Sequence, residues 1–364
     1  MTDMLPNAIQ FTHRPVRGYL AQPNGYCAGV YMAIKALVWM TKLFPPPVYC
    51  YHEIVHNGFV VDTFKQAGVV FVDSIDEVPE GAPVMLSAHG SSPTVISTAQ
   101  ERSGIMVDSV CPLVTKVHHE VNRRAAKGYD IIFVGHENHD EAVGTVARAP
   151  SHTTLVEPET GLGGFRARDS KKVALFAQTT LGLHEWEEVQ LEALKRFPDL
   201  EMSRKSDLCY ATTNRQDAVR KMSSECDLIL VVGSDNSSNT NALVRTARTS
   251  GKAAHRIDSI KSIQPEWMEN VDVVGVTAGA SAPDHLVQEV LKVIDPVEGW
   301  QPFRVTEEDE YFPLPHGLRT LLDSVSSMIR IGLTARADVA GIIGFDRTTT
   351  AMDALTALDF PVAV

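Results

Sequence analysis

Asp108-Ser109-Val110-Cys111-Pro112-Leu113-Val114-Thr115-Lys116-Val117-His118 sets a cysteine between the end of an extended run and the start of a helical pattern. Pro112 suits the first helical turn, where a missing backbone N–H costs little. Cys111 then lies at the positive end of a helix dipole, which favours the thiolate that binds metals. Two more cysteines have comparable settings: Cys27 in Asn24-Gly25-Tyr26-Cys27-Ala28-Gly29-Val30, and Cys209 in Asp207-Leu208-Cys209-Tyr210-Ala211-Thr212-Thr213-Asn214. The intervals between the three are similar, as three α/β units each supplying one cysteine to a shared centre would give.

The rest of the chain alternates short apolar runs with amphipathic ones. Strands are predicted at 17–21, 48–51, 69–72, 84–87, 105–108, 131–134, 173–177, 228–232 and 271–277. Helices are predicted at 28–43, 114–127, 184–197, 215–224, 239–250 and 284–294. This alternation predicts α/β units with largely parallel sheets. Polar groups gather just after the strands, in Ser87-Ala88-His89-Gly90, Gly135-His136-Glu137-Asn138-His139-Asp140-Glu141, Gln178-Thr179-Thr180, Gly233 to Asn239 and Thr277 to Pro283. Ligands of open parallel sheets bind beyond the carboxyl ends of the strands. Residues 1–17 read as a loose leader. Residues 314–364 carry helical patterns around 318–333 and 349–358, after the acidic run Glu307-Glu308-Asp309-Glu310. That tail reads as a packing or dimer-forming extension.

At 364 residues the chain should hold two or three domains. Its net charge of −12 argues against broad nucleic-acid binding, which needs a basic footprint. No signal-peptide pattern and no apolar run of bilayer-spanning length is present, so a cytoplasmic location is expected. The five cysteines do not suggest a disulfide framework. Cys50 and Cys226 sit in apolar runs and read as small buried hydrophobes.

Three separate cysteines do not by themselves distinguish ligands from structural thiols, and no C-x-x-C pair points to a zinc ribbon. On a four-iron, four-sulfur cluster, three thiolates would leave one iron open to substrate, whereas four would close it for electron transfer only. His52-Glu53-Ile54-Val55-His56 has the H-E-x-x-H order of a zinc protease, which requires a helix. The Ser, Thr and Asn residues of 236–239 and 280–282 suit phosphate oxygens, or simply cap helices. Together with His56, His89 and His139 they form a plausible diphosphate cradle. Glu141 is the candidate acid, since partial burial would help it retain the proton it must donate.

These segments together resemble the 4-hydroxy-3-methylbut-2-enyl diphosphate reductases of the IspH/LytB family. The matching motifs are 25–30, 52–57, 87–90, 111–118, 135–145, 178–181, 209–216, 233–239 and 275–283, in the family's order and within roughly 18–295. The resemblance implies a trefoil of three similar α/β domains with mostly parallel sheets around a central iron–sulfur cluster. The expected divisions are 29–111, 112–205 and 206–300 with 1–28, followed by a C-terminal extension over 301–364. It implies that Cys27, Cys111 and Cys209 ligate a [4Fe-4S] cluster with one open iron. His56, His89, His139, Ser237, Ser238, Asn239 and Ser281 would hold the diphosphate, Thr179 would meet the substrate hydroxyl, and Glu141 would supply a proton. The implied reaction is reductive dehydroxylation to isopentenyl and dimethylallyl diphosphates, the last step of the non-mevalonate pathway. A ferredoxin or flavodoxin would supply electrons; no nucleic acid or membrane is involved. The family commonly has proline where this chain has Asp140; the added carboxylate could raise the pKa of Glu141 or point to solvent, and the second is expected. A cluster-bearing redox sensor and a non-redox hydratase are the competing readings.

Overall fold

The computed structural model describes residues 11–203, 206–330 and 346–358. The first part of the expected leader and the end of the first tail pattern lie outside the described residues.

β1 (Arg17–Gln22) leads through Cys27 into α1 (Ala28–Leu43). Then come β2 (Val48–Tyr51), α2 (Gly58–Gln66), β3 (Val69–Val72), β4 (Pro83–Leu86), α3 (Pro93–Arg102) and β5 (Ile105–Asp108). They are followed by α4 (Pro112–Ala125), β6 (Asp130–Val134), α5 (Asp140–Val146), β7 (Thr153–Val156), β8 (Val173–Ala177), α6 (Leu183–Arg196) and β9 (Glu201–Met202). The last stretch holds α7 (Tyr210–Met222), β10 (Leu228–Val232), α8 (Ser238–Thr249), β11 (Ala253–Ile257), β12 (Val273–Ala278), α9 (Asp284–Ile294) and β13 (Trp300–Arg304). α10 (His316–Arg330) and α11 (Ala351–Thr356) form the described tail.

The strands make three parallel sheets, ordered β3-β2-β4-β5, β7-β6-β8-β9 and β11-β10-β12-β1-β13. The protein thus has three α/β domains, as the alternating pattern predicts. The central strands β6, β8 and β10 are buried along their whole length, which is why they read as unbroken apolar runs. The strands that the apolar pattern does not reveal, β7, β9, β11 and β13, are all sheet edges. An edge strand faces water along one side, and β11 accordingly carries His255 and Arg256.

One compact unit comprises Ala28–Gln178, Val189–Asp207 and Glu310–Val364. It contains the first two sheets. α4 places Val117 and Val121 against Ile131 and Phe133 of β6 and Ala174 and Phe176 of β8. The helical spacing of Val114, Val117 and Val121 puts all three on its buried face. Each such fully buried side chain contributes about 1.5–3 kcal/mol. The tail packs on this unit: α10 touches β5, and α11 lies on α1.

The other unit comprises Met1–Cys27, Thr179–Glu188 and Leu208–Asp309. It is built on the five-stranded sheet. Leu228, Leu230 and Val232 pack with Val287, Val290 and Ile294 of α9 on one face. Ile229 and Val231 pack with Ala218, Val219 and Met222 of α7 and Leu243 of α8 on the other. β13 adds to the edge beside β1, with Tyr19 opposite Gln301. Among the described residues, no helix is long and apolar enough to cross a membrane.

Candidate active site

Each of the three cysteines stands at the same point of local structure, one residue before a helix. Cys27 precedes α1, Cys111 is the N-cap of α4 with Pro112 as its first residue, and Cys209 is the N-cap of α7. The Cys209 sulfur accepts a hydrogen bond from the Thr212 amide at 3.3 Å and lies 3.1 Å from its hydroxyl. All three are unbridged and partly accessible. Cys50 and Cys226 differ: both are buried, and burial pushes their thiols up, Cys226 to about 12. The cysteines thus divide into two inert core residues and three at helix N-termini, where thiolates are favoured. That donor set fits a thiolate-ligated iron–sulfur cluster.

In the unit that contains Cys111, three histidines converge from three strand ends. His56 follows β2, His89 follows β4 and His139 caps α5. The rings of His56 and His89 stack 3.9 Å apart, and His139 stands edge-on to both, at 5.2 and 5.9 Å. Burial chiefly, then the neighbouring histidines, holds His89 well below its ordinary pKa; the same causes bring His139 to about 3. His89 and His139 are therefore held neutral. Glu141 is buried at 2 % exposure in the first turn of α5, and its amide donates to His139 Nδ1 at 3.2 Å. The buried Gln178 accepts the His136 amide at 3.0 Å.

The H-E-x-x-H segment is not helical. His52 sits just past β2 with φ of 58°, and Asn57 caps the start of α2. The two histidines are therefore not on one helical face, and the zinc-protease alternative fails. His52 instead places Nδ1 2.7 Å from Asp140 Oδ1, while Nε2 lies 3.2 Å from the Asp73 carbonyl. The hydrogen bond to Asp140 raises the His52 pKa. Burial alone would raise the Asp140 carboxyl, but His52, then His56 and His139, more than offset this and lower it. Asp140 thus turns inward, contrary to the solvent-facing expectation, because His52 on the neighbouring loop offers it a hydrogen-bond partner.

In the other unit, Ser237 is the N-cap of α8 and accepts the Thr240 amide at 3.3 Å. Ser281 Oγ lies 3.4 Å from Ser237 Oγ, and Ser238 Oγ reaches the Thr180 carbonyl at 3.4 Å. Asn239 donates to Thr212 at 3.3 Å and accepts the Ala280 amide at 2.9 Å. The Ala280 carbonyl accepts the Cys27 amide, and the Thr179 carbonyl accepts that of Cys209. One polar network therefore runs from the phosphate-type loop to both cysteines of this unit. Ser237, Ser238, Asn239, Ser281 and Thr179 are all buried. Hydroxyls and amides held at a helix N-terminus suit phosphate oxygens. Asp235 turns away and pairs with Arg256 at 3.1 Å.

The sequence pattern did not single out His52 and Asp140 as partners, nor the buried Arg215 that ties α7 to the Cys27 loop. Arg215 donates to the Gly25 carbonyl at 2.8 Å and to Glu308 at 3.0 Å.

Residues 19–295 match the LytB protein family model. The chain is 48 % identical over 307 residues to the 4-hydroxy-3-methylbut-2-enyl diphosphate reductase of Mycolicibacterium paratuberculosis, covering 84 % of this chain and 92 % of that one. It is 46 % identical over 308 residues to the enzyme of the same name from Nocardia farcinica, covering 84 % and 91 %. The solved E-1-hydroxy-2-methyl-but-2-enyl-4-diphosphate reductase of Plasmodium falciparum superposes with a TM-score of 0.83 at 32 % identity, over 85 % of this chain and 99 % of that chain. With most of its length matched by the family model and by relatives of this similarity, the chain belongs to the LytB family.

Proposed function

We propose that this protein is a 4-hydroxy-3-methylbut-2-enyl diphosphate reductase, acting at the end of the non-mevalonate route to isoprenoids. The observation that carries the reading is that all twelve candidate residues, from Cys27 to Ser281, fall within the matched family range of 19–295. Two electrons and two protons replace the allylic C–O bond with C–H and release water, giving isopentenyl and dimethylallyl diphosphates. Cys27, Cys111 and Cys209 would hold a [4Fe-4S] cluster, which when bound would supply electrons and one iron without a protein ligand as a Lewis acid.

The chain's own groups do the rest. His56, His89, His139, Ser237, Ser238, Asn239 and Ser281 bind the diphosphate, so that its binding energy orients the allylic carbons. Thr179 hydrogen-bonds at the substrate hydroxyl. Glu141, buried beside His139, gives the proton that turns a poor leaving group into water. A ferredoxin or flavodoxin delivers the electrons singly.

The test is anaerobic turnover of the diphosphate substrate with reduced viologen, alongside iron and sulfide analysis. Four irons per chain and steady product formation are expected. Zinc in place of iron, or no turnover by cluster-loaded protein, overturns the reading. Glu141→Gln is expected to keep the cluster and lose turnover; Cys111→Ser is expected to damage the cluster itself. A cluster without turnover would favour a sensor.

A further inference from the structure

Asp140 joins two α/β domains of the Cys111-bearing unit. His52 lies 88 residues away on the loop after β2, and Asp140 opens α5. One carboxylate oxygen is 2.7 Å from His52 Nδ1, and the other is 3.6 Å from His89 Nδ1. Asp140 is only 18 % exposed. His56, His89 and Asp140 have atoms close enough to suggest a cation site. The stacking argues otherwise. Ring nitrogens bind metals in the plane of the ring, and two parallel rings stacked face to face aim their nitrogens past one another.

We propose that Asp140 is a positioning residue that couples diphosphate binding to proton uptake by the histidine cluster, an inference that rests on the proposed diphosphate site. The His52–Asp140 contact fixes the loop of His56 against the helix that carries His139 and Glu141. Its carboxylate also faces His89 Nδ1, so His89 can become an imidazolium once an anion meets the cluster. A carboxylate on one side of an imidazole and a diphosphate on the other both favour the charged ring. In the ligand-free cluster burial and like neighbours keep His89 and His139 neutral, so the proton must arrive with the anion. The other ionisable groups facing the cluster are Tyr51, Glu53, Asp73, His136 and Glu141.

Calorimetric titration of the cluster-loaded protein with inorganic diphosphate, in buffers of different ionisation enthalpy at one pH, counts the protons bound. The wild type is expected to take up about one proton near neutral pH. Asp140→Asn is expected to take up less, and the pH at which affinity falls should move down by about one unit. Asp140→Glu should restore much of both. Binding by the wild type with no proton uptake overturns the proposal, as does an unshifted pH profile in Asp140→Asn. If Asp140→Asn does not fold, the wild-type proton count still decides. Failure of the wild type to bind diphosphate at all instead removes the underlying reading of the site.

Discussion

Gly144 stands directly against the backbone of Gly90: a Cβ at position 144 would lie 2.6 Å from the Gly90 carbonyl oxygen. That approach seats α5 on the loop that presents His89, while Gly90 itself adopts φ of +89° against His118. In an ordinary helix Gly→Ala gains about 1 kcal/mol. Here the methyl meets backbone, so Gly144→Ala should instead cost about 1–3 kcal/mol and weaken diphosphate binding by shifting His139. Urea denaturation and diphosphate titration check both effects. Gly58→Ala, at the start of α2 with nothing within 4 Å, serves as the control and should lose no stability. A Gly144→Ala protein with parental stability would show that α5 moves freely on the loop.

What the sequence revealed follows from how local the cause is. Interior strands are buried on two faces and announce themselves as apolar runs; edge strands such as β7 and β11 share their face with water and do not. The cysteine positions were legible because a strand, a cysteine and a helix start are contiguous. Pro112 marked the first turn of α4 in the same way. The His52–Asp140 pair was not legible, since its partners are 88 residues apart and each fits a surface loop by itself. The Arg215–Glu308 pair was hidden for the same reason: Glu308 lies in an acidic run 93 residues from Arg215, yet turns inward to it.

Arg215 is fully buried, and Glu308 is its ion partner at 3.0 Å. Asn214 donates to the same carboxylate at 3.0 Å. Glu308→Ala strands a buried guanidinium and should cost about 3 kcal/mol, the low end for a broken buried pair because Glu308 keeps some exposure. Because Arg215 also holds the Gly25 carbonyl, two residues before Cys27, the variant should retain less iron after reconstitution. The double variant Arg215→Met with Glu308→Leu should recover part of the lost stability. Undiminished stability in Glu308→Ala would mean that Arg215 finds another acceptor.

The tail supplies a counter-ion to the core. Lys35 in α1 is 5 % exposed, and its Nζ meets Asp346 at 2.9 Å to the carboxylate and 2.7 Å to the carbonyl. Tyr311 adds a hydrogen bond to Asp346 at 2.5 Å, and burial, then Asp346, pushes its hydroxyl up to about 12. Asp346→Ala leaves a buried ammonium unpaired and should be destabilising by about 3–5 kcal/mol, whereas Lys35→Met removes the charge and should cost much less. Thermal unfolding of the two variants tests the order. Equal losses would mean that the contact acts through packing alone.

His118 gives a signed dependence on pH. It lies buried on α4, and burial chiefly, then Arg148 and His119, lowers its pKa to about 3. Below its ordinary value of 6.5 the unfolded chain binds a proton that the folded chain refuses. Its contribution is therefore complete above about pH 6.5 and declines as pH falls toward about 3, by about 1.4 kcal/mol per pH unit. His139, also lowered to about 3, acts in the same direction. Asp207 opposes them, because burial raises it to about 6 and its proton stabilises the fold as pH drops below that value. His118→Gln should flatten the curve of unfolding free energy against pH by about 1.4 kcal/mol per unit between pH 4 and 6, measured by anaerobic denaturant titration at several pH values. An unchanged slope would mean that His118 takes up its proton in the folded protein.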